Sequence, residues 1–244
     1  MRAIIFLVRV FPPERLTVGD EILKRLRERY SIEAEEYISL YTYLRSRDPF
    51  EVLIATILSQ NTTDRAALQA LQTLEKRVGL TPLKILRAGT RRIQSAIRAA
   101  GMYRSKARFI WAVSKIVLER YDGSLWRMLE GDVGVVRERL MALPGVGGKT
   151  ADVLLATIGI AQVIPVDTHV SRVATRLGLA EEGTGYEEVR KRLEEVFTPE
   201  SRHLAHLLLI AHGRRVCRAR KPMCEVCVLN DLCRYYRRLR NAGL

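Results

Sequence analysis

A chain of 244 residues that is 48% hydrophobic can bury a sizeable core without cross-links. Its 41 Lys and Arg against 27 Asp and Glu leave it at +14, which calls for an anionic partner, nucleic acid first and an acidic membrane surface second. No apolar run is long enough to span a bilayer, and all four cysteines fall between positions 217 and 233, which argues against a scattered disulfide framework and for one compact metal site.

At the N-terminus, Ala3-Ile4-Ile5-Phe6-Leu7-Val8 has the apolarity of a secretion signal. Arg9 interrupts it, Phe11-Pro12-Pro13 follows, and no small-residue cleavage site appears. The segment is read as a short strand or buried arm, and the protein as intracellular rather than secreted. Asp48-Pro49 then supplies a cap and a first-turn proline, after which Phe50, Leu53, Ile54, Ile57 and Leu58 recur at helical spacing. Further helices are expected near 65–77, 82–88, 91–99, 104–120 and 132–142, with breaks at Gly79, Gly101 and Asp122-Gly123.

A helix over about 148–159 is followed by Ile164-Pro165-Val166 and a second helix over 168–177 that ends at Gly178. Tyr186, Val189, Leu193, Val196 and Phe197 mark an amphipathic helix near 185–197, and a long apolar helix runs from Pro199 to Gly213. Aromatics are sparse, while Leu, Ile, Val and Ala are plentiful. With no strand-rich region, linker or repeat, the expected fold class is all-α.

Between two of these helices lies Leu143-Pro144-Gly145-Val146-Gly147, and Gly148-Lys149-Thr150-Ala151 opens the next helix. Glycines here allow positive φ and close approach of the backbone to another group. The unpaired N–H groups at the following helix start sit at the positive end of its dipole, so such a turn can hold a phosphate without reading base sequence. A plain glycine-capped connection is the alternative. A P-loop is rejected, because only Val146 and Gly147 separate Gly145 from Gly148-Lys149 and no strand precedes the turn.

Leu143-Pro-Gly-Val-Gly-Gly-Lys-Thr-Ala151 followed by Val166-Asp-Thr-His-Val170 resembles the hairpin and catalytic segment of the endonuclease III family of helix-hairpin-helix base-excision glycosylases. The resemblance runs from about residue 46 to residue 233 and includes Gly101-Met-Tyr-Arg-Ser-Lys-Ala107 and His212-Gly213-Arg214. It implies that Lys149 is the Schiff-base lysine and Asp167 the catalytic aspartate. A lysine amine can form a covalent imine with the opened sugar and so permit β-elimination. Its place in a first helical turn disfavours the protonated form. Asp167 can stabilise an oxocarbenium-like sugar or take up a proton, although Asp-Thr at a helix start is also a common N-cap. His169 is read as structural, with a DNA contact open.

The cysteine spacing, Cys217-x6-Cys224-x2-Cys227-x5-Cys233, is by itself compatible with zinc or with an iron–sulfur cluster. The resemblance implies a 4Fe–4S cluster, with Arg218, Arg220 and Lys221 in its first loop set against DNA phosphates. Ser59-Gln60-Asn61-Thr62-Thr63-Asp64 interrupts the apolar run as a polar segment. It can cap the next helix, or it can fill the gap that a flipped nucleotide leaves. The family carries a glutamine there, and alignment on the Thr-Asp pair puts Asn61, not Gln60, in that position. The wedge role therefore stays open between the two.

The implied architecture is a six-helix module over 42–160 and a cluster module made of 1–41 with 161–244. The implied activity is a glycosylase with apurinic/apyrimidinic lyase activity on oxidised pyrimidines in duplex DNA. Its partner is double-stranded DNA with a damaged base or abasic site, met by a monomer in the cytoplasm or on the nucleoid, away from membranes. A thymine or uracil mismatch glycosylase and a non-catalytic hairpin DNA-binding protein are the alternatives.

Overall fold

The computed structural model describes residues 17–242, and among these every regular element is helical. In chain order the α-helices are α1 (Val18–Arg29), α2 (Ile38–Ser46), α3 (Pro49–Ser59), α4 (Asp64–Arg77), α5 (Pro82–Ala96), α6 (Tyr103–Tyr121), α7 (Leu125–Met128), α8 (Val133–Met141), α9 (Gly148–Thr157), α10 (Thr168–Leu177), α11 (Tyr186–Val196), α12 (Arg202–Arg215) and α13 (Arg234–Asn241). The fold is all-α, as the patterning predicts. The reading of Ala3–Val8 as a strand or arm lies outside the described residues.

Among the described residues two compact units are present, one of residues 34–162 and the other joining residues 17–33 with residues 163–242. The first is built around α3. Asp48 caps this helix by accepting a 2.8 Å hydrogen bond from Phe50 N, and Pro49 occupies its first turn. Nine of its eleven residues are buried, so the helix is covered on all sides, as an all-round apolar helix must be. Helices α2, α4, α6, α7 and α9 supply the cover.

Helix α5 packs on α6 and is broken at Gly89 (φ 70, ψ 163), where two separate helices are expected. Its second half ends at Ala96, and Arg98–Ala100 tightens into a 3-10 turn. Gly101 (φ 63) and the Asp122-Gly123 pair (φ 48 and 77) end elements as anticipated.

In the other unit, α12 is the buried centre, with Ala205 through Gly213 all buried. Helices α1 and α10 pack on it, and α11 and α13 pack on α10. The close packing of α1 rests on Gly19, where a Cβ would lie 2.1 Å from the Val196 carbonyl oxygen.

Candidate active site and cluster site

The hairpin between α8 and α9 is a tight turn in which the Leu143 carbonyl accepts from Val146 N at 3.1 Å. Gly145 has φ 78, and a Cβ there would lie 2.4 Å from Cδ2 of Phe109, so both conformation and space demand glycine. Gly147 occupies the N-cap of α9 without a side-chain oxygen to offer. The positive end of that helix is therefore not neutralised by its own cap, which suits an anion. Leu143 and Val146 face the core. Thr150 is buried, with its hydroxyl 3.2 Å from Gln60 Nε2. Among the expected hairpin contacts, Gly145, Gly147 and Gly148 can thus present backbone to DNA. The side chains of Leu143, Val146 and Thr150 cannot, because packing holds them inward. Lys149 is the second residue of α9 and half-buried.

The same geometry separates Gln60 from Asn61. Gln60 Nε2 donates to the Gly145 carbonyl at 2.9 Å and to Thr150 Oγ1, so Gln60 is a strut beneath the hairpin. Asn61 is exposed and left-handed at φ 51. Its Nδ2 donates to Met102 Sδ at 3.6 Å. Met102 is itself left-handed at φ 45 and 57% exposed, an unusual state for a large apolar side chain. A left-handed non-glycine residue costs about 1–2 kcal/mol, and strain of that kind concentrates at functional sites. Sequence reasoning gives Met102 no role, although it lies in the Gly101–Ala107 stretch that carries part of the resemblance. Thr63 caps α4 through Ala66 N at 3.3 Å, so the polar segment does serve as a cap as well.

In the other unit, Asp167 is the N-cap of α10, its Oδ1 accepting from Val170 N at 2.8 Å. His169 sits half-buried against α12, where a Cβ on Gly213 would come within 2.9 Å of its own Cβ. Its Nδ1 lies 3.0 Å from Arg172 Nη2. Burial lowers the His169 pKa, against the opposing pull of Asp167. Arg172 reaches on to the carbonyls of Cys217 and Gly213, both at 2.9 Å.

Cys217, Cys224, Cys227 and Cys233 line one pocket, together with Arg176, Tyr235 and Tyr236. The donor set fits an iron–sulfur cluster. N–H groups already point at sulfur, from Arg176 Nη1 to Cys217 Sγ and from Leu229 N to Cys227 Sγ, both at 3.4 Å. Such bonds stabilise thiolate ligands. Burial and the neighbouring cysteines push the Cys227 thiol up to about 11, so ligation by cationic iron is what makes thiolates favourable there. Arg176 also holds the carbonyls of Arg218 and Ala219 at 2.6 and 3.1 Å. Arg218, Arg220 and Lys221 on the same loop are exposed.

The chain matches the model of the HhH-GPD superfamily of base excision DNA repair proteins over residues 54–199. It also matches the iron–sulfur binding domain of endonuclease III over residues 217–233, which resolves the metal question in favour of an iron–sulfur cluster over zinc. It is 40% identical to an endonuclease III of Sulfolobus acidocaldarius over 91% of this chain and 97% of that protein. A solved non-covalent endonuclease III–DNA complex superposes with a TM-score of 0.76 at 32% identity, covering 90% of this chain and 95% of that one. A trapped endonuclease III–DNA covalent intermediate superposes with a TM-score of 0.73 at 30% identity, covering 91% and 99%.

Proposed function

The chain belongs to the endonuclease III family of helix-hairpin-helix DNA glycosylases, and from that premise we propose that Lys149 is the nucleophile and Asp167 the electrostatic partner of a bifunctional base-excision enzyme. The protein is a DNA glycosylase and apurinic/apyrimidinic lyase acting on double-stranded DNA. The observation that carries the residue assignment is the placement of Lys149 immediately behind an uncapped helix start, on a hairpin whose Gly145 admits no side chain.

A phosphate held by the backbone of Gly145, Gly147 and Gly148 would bring the damaged nucleotide's sugar to Lys149. The neutral amine adds at C1′ as the base departs with the glycosidic electron pair, and the carboxylate of Asp167 stabilises the positive charge that develops on the sugar. Opening of the ring gives an imine between Nζ and C1′. Loss of a C2′ proton then expels the 3′ phosphate by β-elimination, and water returns the lysine. Asp167 keeps its capping bond through Oδ1 during this cycle, so one residue both starts α10 and serves the chemistry.

The gap left by the flipped nucleotide falls to Asn61, since Gln60 is committed to the hairpin. Met102, in contact with Asn61, wedges the duplex beside it. The cluster, when bound, fixes the 217–233 loop and its basic side chains Arg218, Arg220 and Lys221. Oxidised pyrimidines are the substrate class we infer, met on chromosomal DNA inside the cell. Among the described residues, no helix is long and apolar enough to cross a membrane. The test is an excision screen over thymine glycol, uracil, hypoxanthine and mismatched thymine. Preference for thymine glycol supports the substrate, and preference for mismatched thymine overturns it.

A further inference from the structure

Lys106 is the most anomalous side chain of the 34–162 unit. It is 2% exposed, lies among the apolar residues that join α3 to α6, and forms no ion pair among the described residues. Burial alone pushes its pKa down to about 8. A buried ammonium without a carboxylate is rare, and it is retained only where its hydrogen bonds are committed. Here Nζ donates to the carbonyl of Leu58 at 2.8 Å and to that of Ala100 at 2.7 Å.

Both acceptors are helix-terminal. Leu58 lies in the last turn of α3, and Ala100 closes the 3-10 turn before α6. Carbonyls at such ends lack intrahelical partners and carry the negative end of the helix dipole, so one cation serves two of them at once. The residues downstream of each carbonyl matter more. Three residues beyond Leu58 is Asn61, and two beyond Ala100 is Met102. These are two of the five described non-glycine residues with positive φ, and their side chains touch. Strained residues persist only where their surroundings over-determine them, and among the described residues Lys106 is the one side chain bonded to the roots of both loops.

We propose that Lys106 is a positioning residue for strand invasion, its ammonium clamping the Asn61 and Met102 loops into a preassembled pair that enters the duplex as one unit. The clamp acts before chemistry. It lowers the barrier to extruding a paired nucleotide and contributes nothing to imine formation at Lys149. This role rests on Asn61 and Met102 being the residues that enter the duplex. It also implies a defect that depends on how firmly the target base is paired, because unpairing is the step at stake.

The test compares Lys106→Met and Lys106→Gln with the wild-type holoenzyme on three substrates that carry the same lesion or its abasic product. These are a fully paired duplex, the same lesion inside an unpaired bubble, and a preformed abasic site in single-stranded DNA trapped with borohydride. Folding is checked by circular dichroism and by cluster absorbance. Excision from the paired duplex is expected to fall at least tenfold, while bubble excision and single-strand trapping stay within about threefold of wild type. Loss that is uniform over the three substrates, no loss on any of them, or failure of both variants to fold overturns the proposal, since Lys106 would then be a folding element only. Absence of trapping by the wild-type protein would instead sink the assignment of Lys149, so the two failures are distinguishable.

Discussion

Asp167 caps α10, and substitution can separate that duty from the one proposed for it in the chemistry. Asn accepts the Val170 N–H as well as Asp does, so Asp167→Asn should leave unfolding free energy within about 0.5 kcal/mol while base excision falls ~10²-fold or more. Asp167→Ala should add a stability loss of about 1 kcal/mol from the missing cap. Denaturant titration beside single-turnover excision reads both. Equal activity of Asp167→Asn and wild type would remove Asp167 from the chemistry. At Met102 the balance runs the other way. Met102→Gly relieves the left-handed backbone and should stabilise the fold by about 1 kcal/mol, yet lower excision from paired duplex. A destabilised Met102→Gly with normal excision would contradict the strained-wedge account.

Lys106 gives a pH signature at the same scale. Its pKa is about 8 when folded and ordinary, near 10.5, when unfolded. Between these values the unfolded chain binds the extra proton, so stability rises with pH across that window and the burdened state lies below it. Relative to Lys106→Met, the wild type should gain about 3 kcal/mol of unfolding free energy as pH goes from 7.5 to 10.5. Parallel stability curves for the two proteins would show that burial does not depress this lysine.

At the level of elements, the hairpin depends on a single glycine. Gly145→Ala meets both a positive φ and the Phe109 ring, so a destabilisation of about 2–4 kcal/mol is expected, together with weaker DNA binding. Thermal melting checks it, and an unchanged midpoint would mean that the turn can relax. The elements that sequence patterning catches are those rich in apolar residues, such as α3, α9 and α12, whose residues are mostly buried. Those it misses are short, charged or little buried. Helix α13 (RYYRRLRN) buries none of its residues, α7 is four residues long, and α2 buries only Ile38 and Thr42. Helix α1 does carry a sign, the Thr17–Asp20 capping box, ahead of a mostly charged stretch. In the site, the hairpin before Lys149, the cap formed by Asp167 and the grouping of the cysteines are legible because motif spacing fixes them. The inward turn of Leu143 and Val146, the strut made by Gln60, the exposure of Met102 and the bonds of Lys106 are not, because each depends on contacts between residues far apart in sequence.

For the whole molecule, a charge of +14 and the exposed Arg218, Arg220 and Lys221 imply binding that is strongly salt-dependent. Replacing any of the three by Gln should reduce the slope of log affinity against log salt by about 0.9 for each phosphate no longer neutralised, without changing lesion preference. An unaltered slope would take that residue off the DNA. Removing the cluster by oxidative chelation should lower duplex affinity as well, since the 217–233 loop then loses its anchor.

The proposed chemistry turns on attack by Lys149 at the sugar. Incubating wild type and Lys149→Ala with lesion-bearing duplex and borohydride tests it most directly. A covalent protein–DNA adduct is predicted for wild type and none for the variant. An adduct of equal yield in Lys149→Ala, or its absence from wild type on every lesion and on abasic DNA, would contradict the account.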